Sequence, residues 1–230
     1  MSVIISFYSR DCIVIGADRR TTIRNNDGIR YSDETCKIFP FSEGIVIAYC
    51  GDNSVTKGKT VHEFLKGAKK AFKTVSIFDL PSKLLSYFEK HKYTADITFQ
   101  ISGYGIGGIA MLYSVSTKNK TIEMVSSGFH DYNWMCSGRT DIATPILKGS
   151  NQNEMSEREA IDLVKMAIDA SIVAYKYRME QSIGGTPDIY LIKKDFEGWI
   201  FNNDITPITQ NRLNDIDDVL REIMIQKGQK

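Results

Sequence analysis

Strand-like runs in this chain sit side by side in pairs, with helical stretches between the groups and not between the strands. Residues 2–9 and 12–17 are short β-branched runs separated by the polar pair Arg10-Asp11, which suits a turn. Asn25-Asn26-Asp27-Gly28 is a strong turn signal ending in Asp-Gly. Residues 35–39 and 44–50 read as two more strands, broken at Pro40. Hairpin clusters of this kind disfavour a doubly wound parallel sheet, whose strands alternate with helices. Two antiparallel sheets packed on each other with helices outside, an α+β arrangement, fit the order.

The helices announce themselves by a change of period. Between residues 53 and 74, Val61, Phe64, Leu65, Ala68 and Phe72 fall at steps of three and four, one face of a helix. Asp79-Leu80-Pro81 opens a second helix carrying Leu84, Leu85 and Phe88. Residues 96–127 return to strands, and 138–147 form a short helix candidate with Pro145 inside it. Ser156 and Glu159 make a capping box ahead of a long helix through Ala160, Val164, Ile168, Ile172 and Tyr175. Gly184-Gly185 ends that region, and residues 188–193 and 198–201 read as a last strand pair. Leu213, Ile216, Leu220, Ile223 and Met224 recur at helical spacing over 213–227. No linker, repeat or low-complexity tract divides the chain. The expectation is one domain over residues 1–230, with a helical extension near 211–230.

Composition removes several function classes. The 230 residues are 42% hydrophobic and 25% charged, a globular balance. Lys plus Arg total 29 against 28 for Asp plus Glu, a net charge of +1, which argues against nucleic-acid or membrane partners. No apolar run approaches the roughly 20 residues of a membrane-spanning helix. The N-terminus has neither a basic region nor a cleavage site of the secretory kind. Cys12, Cys36, Cys50 and Cys136 are scattered without a C-x-x-C pair, and His62, His91 and His130 have no ligand-spaced neighbour, so the expectation is a cytoplasmic protein with no metal. Gly103-Tyr104-Gly105-Ile106-Gly107-Gly108 matches G-x-G-x-x-G, but the residues after it read as a strand. A dinucleotide site needs a helix there, so the glycines are read as a hairpin.

The N-terminal segment carries the chemistry. Ser2 follows Met1, and a small second residue favours removal of the initiator. Ser2 would then hold a hydroxyl nucleophile and an α-amine on one backbone unit. An α-amine has a pKa of about 7.7–8.0, close to the optimum for a base at neutral pH. Met-Ser alone is a common beginning; its context gives it weight. A hairpin separates Ser2 from Gly16-Ala17-Asp18-Arg19-Arg20 and can return Asp18 to its side. Lys37 lies in an otherwise apolar run, where a lysine needs a path to water or a carboxylate partner. The plainer reading of Asp18 and Lys37 is a structural ion pair beneath the hairpin.

These residues resemble the opening of proteasome β-type subunits, members of the N-terminal nucleophile hydrolases. The spacing from Ser2 to Asp18-Arg19-Arg20 matches without a gap, and Lys37-Ile38-Phe39 matches after a few extra residues in the turn region. Gly51 in Ala48-Tyr49-Cys50-Gly51-Asp52, Cys136-Ser137-Gly138, the 155–170 helix, Gly184-Gly185 and Asp188–Ile192 continue the resemblance over roughly residues 2–200. It implies a four-layer αββα sandwich and a peptidase using N-terminal Ser2. Asp18 and Lys37 would set the local field, Gly51 would supply the oxyanion-hole amide, and Ser137 and Glu180 would support the amine. Thr21, Thr35, Phe39, Tyr49 and Asn53 would line the first specificity pocket, with small or medium apolar residues preferred. No cofactor is implied. Implied partners are peptide or unfolded-protein substrates and other copies in a ring, with an ATPase or an α-type ring as further candidates.

The chain departs from the family in having Ser at the nucleophile position, where β subunits have Thr. It also reads Glu180-Gln181-Ser182-Ile183 in place of Asp-x-x-Ser, so Ile183 occupies the family's serine position unless Ser182 replaces it by a one-residue shift. Two other readings stay open: an inert structural subunit, and an amidase of the same superfamily acting on a small amide.

Overall fold

The computed structural model describes residues 2–9, 11–25, 28–126, 132–151, 155–194 and 196–201. The chain opens with β1 (Val3–Tyr8), β2 (Ile13–Ala17), β3 (Thr21–Asn25) and β4 (Gly28–Ser32). There follow β5 (Ile38–Ser42), β6 (Ile45–Gly51) and the short β7 (Ser54–Thr56) and β8 (Lys59–Thr60). Helices α1 (Val61–Ala71) and α2 (Leu80–Lys90) come next, then β9 (Ile97–Tyr104), β10 (Ala110–Ser116), β11 (Thr121–Ser126) and β12 (Asn133–Gly138). Helices α3 (Ala143–Gly149) and α4 (Glu157–Tyr177) precede β13 (Asp188–Ile192) and β14 (Glu197–Phe201). All strand pairs are antiparallel. They build one sheet in the order β12-β1-β2-β13-β14 and another in the order β11-β10-β9-β6-β5, both five-stranded.

The burial of β1 explains the packing. Every residue of β1 is buried because both of its faces are covered. Val3, Ile5 and Phe7 join a cluster with Leu163, Val164 and Ile168 of α4, while Ile4 and Tyr8 join Val46, Ala48 and Leu112 of the other sheet. The period of two thus sends one side chain to the helices and the next to the sheet interface. A third cluster sets Phe99, Ile101 and Val115 against Val61, Phe64, Leu65 and Leu84 of α1 and α2. Gly16 is required where β2 runs beneath α4: a Cβ there would press on Val164 and Ile168.

Local boundaries differ from the sequence expectation for identifiable reasons. Helix α1 begins at Val61, capped by Thr60 with Glu63, because residues 54–60 form a small hairpin before it. Pro40 does not end β5 but lies within it. That strand is at the sheet edge, where an absent N–H costs no pairing, and the register shifts between Pro40 and Ser42. Lys37 immediately precedes β5. β12 was not expected, and α3 starts at Ala143, so Gly138 closes a strand and Pro145 lies in the helix's first turn. The capping box at Ser156 and Glu159 is present. After Tyr104 the glycine run makes a short 3₁₀ turn into β10, a hairpin connection without a following helix. The expected helix over 213–227 lies outside the described residues. Among the described residues no helix is long and apolar enough to cross a membrane.

Candidate active site

Ser2 sits at the head of β1 and is buried. Its carbonyl accepts the Arg139 N–H at 2.7 Å, and Gly138 is strictly required beside it: φ is +88° and a Cβ would collide with that same oxygen. The return of β2 delivers Asp18, also fully buried, to the base of β1. Its Oδ1 accepts the Val3 N–H at 3.0 Å and Lys37 Nζ at 2.8 Å. Its Oδ2 accepts the N–H groups of Arg20 at 3.1 Å and Gly184 at 3.3 Å. Lys37 donates a further bond to the Arg20 carbonyl at 2.7 Å.

Burial acts on both ions of this pair. It pushes the Asp18 carboxyl up, against the opposing pull of Lys37 and the backbone donors. It pushes the Lys37 ammonium down, against the pull of Asp18. A carboxylate that accepts an ammonium and three backbone N–H groups has its charged form well solvated by the protein. Lys37 therefore stands as a desolvated cation beneath the Ser2 cleft.

That cleft has a volume of about 750 Å³ and is lined by Ser2, Lys37, Gly51 and Glu180 among others. Gly51 has φ +107°, and a Cβ would strike the Asp96 carbonyl, so only glycine fits this end of β6. A smaller cleft of about 390 Å³ shares Ser2, Gly51 and Arg139 and extends past Gly138. Ser2 thus lies where two grooves meet. Cys50 lines both, but burial pushes its thiol up to about 11, leaving it protonated and a weak nucleophile at neutral pH.

The other expected residues separate into groups. Thr21, Tyr49 and Asn53 line the larger cleft. Tyr49 Oη donates to Asn53 Oδ1 at 3.1 Å, and Thr21 Oγ1 donates to Thr35 Oγ1 at 2.7 Å. Phe39 is placed elsewhere: it lies in the core beneath α1, edge-on to His62. Ser137 Oγ accepts Gln100 Nε2 at 2.8 Å, and Gln100 Oε1 in turn accepts Ser6 Oγ at 2.8 Å. Glu180 is half exposed and pairs with Arg139 at 3.2 Å. Ser182 lines the cleft, and its buried hydroxyl has no hydrogen-bond partner among the described residues.

Several contributors escaped the sequence reading. Arg20 grips Asp33 through two bonds of 2.6 Å, and Arg19 bonds the carbonyls of Asp33 and Glu34 at 3.1 and 3.0 Å. Together they fasten the β3–β4 hairpin, whose Ile29 and Tyr31 form a wall of the cleft. Gly184-Gly185 makes room for them. A Cβ on Gly184 would overlap the Arg20 guanidinium, and the Gly184 carbonyl accepts both arginine N–H groups at 3.0 and 3.1 Å. The Arg-Arg and Gly-Gly pairs were visible separately; their mutual contact was not. Among the described residues no group of His, Cys, Asp or Glu is arranged to hold a metal ion.

Ser2 at the head of β1, Lys37 bonded to the buried Asp18, and Gly51 at the end of β6 thus come together on one cleft. The family model described as "Proteasome subunit" matches residues 2–181, and the chain belongs to that family. No curated protein matches it. Among solved structures it is similar to Anbu from Hyphomicrobium sp. strain MC1, with a TM-score of 0.66 and 16% identity over 96% of each chain. A Gly-1 mutant of Anbu from the same strain gives 0.64 and 16%, covering 97% of this chain and 96% of that one. A helical assembly of the Anbu complex from Pseudomonas aeruginosa gives 0.64 and 14% over 96% of each. At these identities the likeness is one of fold.

Proposed function

We propose that the protein is an N-terminal nucleophile peptidase with the αββα form of the fold, acting through Ser2 after Met1 is removed. The observation that carries this reading is the meeting of Ser2, Lys37 and Gly51, from three separate segments, on one cleft above Asp18. In this mechanism Ser2 Oγ attacks a peptide carbonyl and its proton passes to the α-amine. The nearby Lys37 cation favours the alkoxide and keeps the amine's pKa low enough to act as a base. The Gly51 N–H stabilises the tetrahedral oxyanion, an effect worth about 3 kcal/mol. The intermediate collapses to an acyl-enzyme, the amine returns its proton to the departing peptide nitrogen, and water releases the acyl group. With Glu180 engaged by Arg139, the role of supporting the amine falls to Ser182, whose hydroxyl lines the same cleft without a partner among the described residues. Tyr49, tied to Asn53, fills the first pocket and favours small or medium apolar side chains before the cut. The substrates are peptides or unfolded chains, the working form is an oligomer of cytoplasmic copies, and no cofactor takes part.

Intact mass after incubation with a proteasome-type epoxyketone tests this, because that reagent requires a hydroxyl and a free amine on one residue. The expected product lacks Met1 and carries one adduct, which Ser2→Ala abolishes. Retained Met1 overturns the peptidase reading in favour of an inert ring subunit, the alternative that the Glu180–Arg139 pairing favours.

A further inference from the structure

We infer that the buried Arg19–Asp188 pair is a positioning device for Lys37 and, through Lys37, for the Ser2 amine. Neither charge takes part in the proposed mechanism, yet the Arg19 side chain is 1% exposed and that of Asp188 0%. An ion pair at that depth adds little net stability, because both charges lose their water. What the pair holds is more specific. Arg19 Nη1 donates to Asp188 Oδ1 at 3.0 Å, Nε donates to the Asp33 carbonyl at 3.1 Å, and Nη2 donates to the Glu34 carbonyl at 3.0 Å. One planar guanidinium thus spans a carboxylate and two consecutive carbonyls.

Those carbonyls belong to residues 33–37, the stretch between β4 and β5 that ends in Lys37. It lies outside every strand, so no sheet ladder fixes its course. At its far end the Lys37 carbonyl accepts the Tyr49 N–H at 3.0 Å. At its near end the anchors are the two bonds from Arg19 and the Arg20–Asp33 pair, and of these only Arg19 is buried. Residues 18, 19 and 20 therefore grip the stretch at successive points. Arg20 and Arg19 hold it at 33 and 34, while the Asp18 carboxylate and the Arg20 carbonyl accept Lys37 Nζ. Asp188 stands opposite Ala17 in the β2–β13 register and orients the guanidinium from the neighbouring strand.

A lysine cannot replace this fork. Its ammonium is a point charge on a flexible stem, able to satisfy Asp188 without holding both carbonyls in one plane. Loss of the fork lets residues 33–36 shift and carries the Lys37 ammonium away from Ser2. A cation farther from the α-amine raises the amine's pKa, so more of the amine is protonated at neutral pH and unable to take the Ser2 proton. That chemical consequence rests on the reading of Ser2 as the nucleophile, whereas the placement of Lys37 by Arg19 and Asp188 does not.

Arg19→Lys in the full-length protein, with Asp188→Asn as a second variant, tests this by two readouts. The first is the Lys37 ammonium signal in nitrogen NMR of lysine-labelled protein, assigned by its loss in Lys37→Met. Bonded to Asp18 and Arg20, that ammonium is expected to exchange its protons at least about tenfold faster in Arg19→Lys than in the wild type. The second is the pH dependence of epoxyketone labelling. In Arg19→Lys the rate at neutral pH is expected to fall at least about tenfold, with the acid limb of the profile moved to higher pH. Asp188→Asn keeps the shape of the side chain and removes its charge; it moves both readouts the same way by less, and stands in if Arg19→Lys does not fold. Ammonium exchange equal in the wild type and the folded variants overturns the positioning role and leaves the pair purely structural. Faster exchange with an unmoved labelling profile overturns the link to the amine. Wild-type protein that takes no adduct overturns the peptidase reading alone, and the ammonium signal still decides whether Arg19 and Asp188 place Lys37.

Discussion

Asp18 has more partners than any other candidate catalytic side chain, and their number decides what its loss does. Removing its carboxylate leaves the Lys37 ammonium buried with the Arg20 carbonyl as its remaining described acceptor. Asp18→Ala is therefore expected to destabilise the protein by about 3–5 kcal/mol in denaturant unfolding and to abolish epoxyketone labelling. Lys37→Met keeps the volume, removes the buried cation and leaves the Asp18 carboxylate with its three backbone N–H donors. It should lose labelling with a smaller stability loss, which separates the chemical role of the lysine from its structural one. At Gly51 the backbone itself is specific. Gly51→Ala meets both a positive φ and the Asp96 carbonyl, and should cost at least about 2 kcal/mol. Ser2, Asp18 and Lys37 were legible because chain spacing and a charge in an apolar run are written locally. Gln100, which holds Ser137, was not. Its role depends on which strand of the second sheet comes to lie opposite β1, and no local pattern specifies that.

Among the elements, the β3–β4 hairpin bears most directly on the cleft. Its base is clamped by Arg19 and Arg20, and the Arg20–Asp33 pair is exposed enough to respond to pH. The guanidinium holds the Asp33 carboxyl below its usual range. The sign follows: the pairing contributes fully above the ordinary carboxylate pKa and is lost as pH falls through the depressed one. Exchange of β3 and β4 amides, corrected for intrinsic rates, should accelerate below about pH 4 in the wild type. In Asp33→Asn it should already be fast at neutral pH, with no acid step. The turn signal at 25–28 was legible but the strands flanking it, β3 and β4, were not, whereas period-three-and-four runs foretold α1, α2 and α4. β12 was missed because this edge strand, mostly half-buried around Met135, lacks a clean alternation. Pro40 misled because the rule against proline in strands lapses at an edge.

Across the whole molecule, the two sheets meet through an apolar interface with one polar line through it. Ser102 Oγ donates to Ser6 Oγ at 3.1 Å, Ser6 donates to Gln100, and Gln100 donates to Ser137, which lies opposite Ile4 of β1. The space between the two sheets is thereby tied to the end of β12, where Gly138, next after Ser137, lines the smaller cleft. Gln100→Leu should lower stability by about 1–3 kcal/mol, because the buried Ser6 hydroxyl and the half-buried Ser137 hydroxyl each lose a partner. It should also slow epoxyketone labelling more than an equally destabilising cavity variant such as Leu84→Ala under α2. The combination of antiparallel sheets with helices was readable from strands grouped in hairpins between amphipathic stretches. The polar line was not, because serines in a strand give no sign of facing one another across a sheet interface.

The Asp18 carboxylate is held at one end of the chain by Val3 and Arg20 and at the other by Gly184. During synthesis the first two emerge from the ribosome long before the last. A nascent chain therefore makes the Asp18 carboxylate, and the Val3 and Arg20 amides that bond it, long before the Gly184 amide that completes its described set of backbone donors. The pocket around Asp18 closes only once residues near 184 have been made and docked.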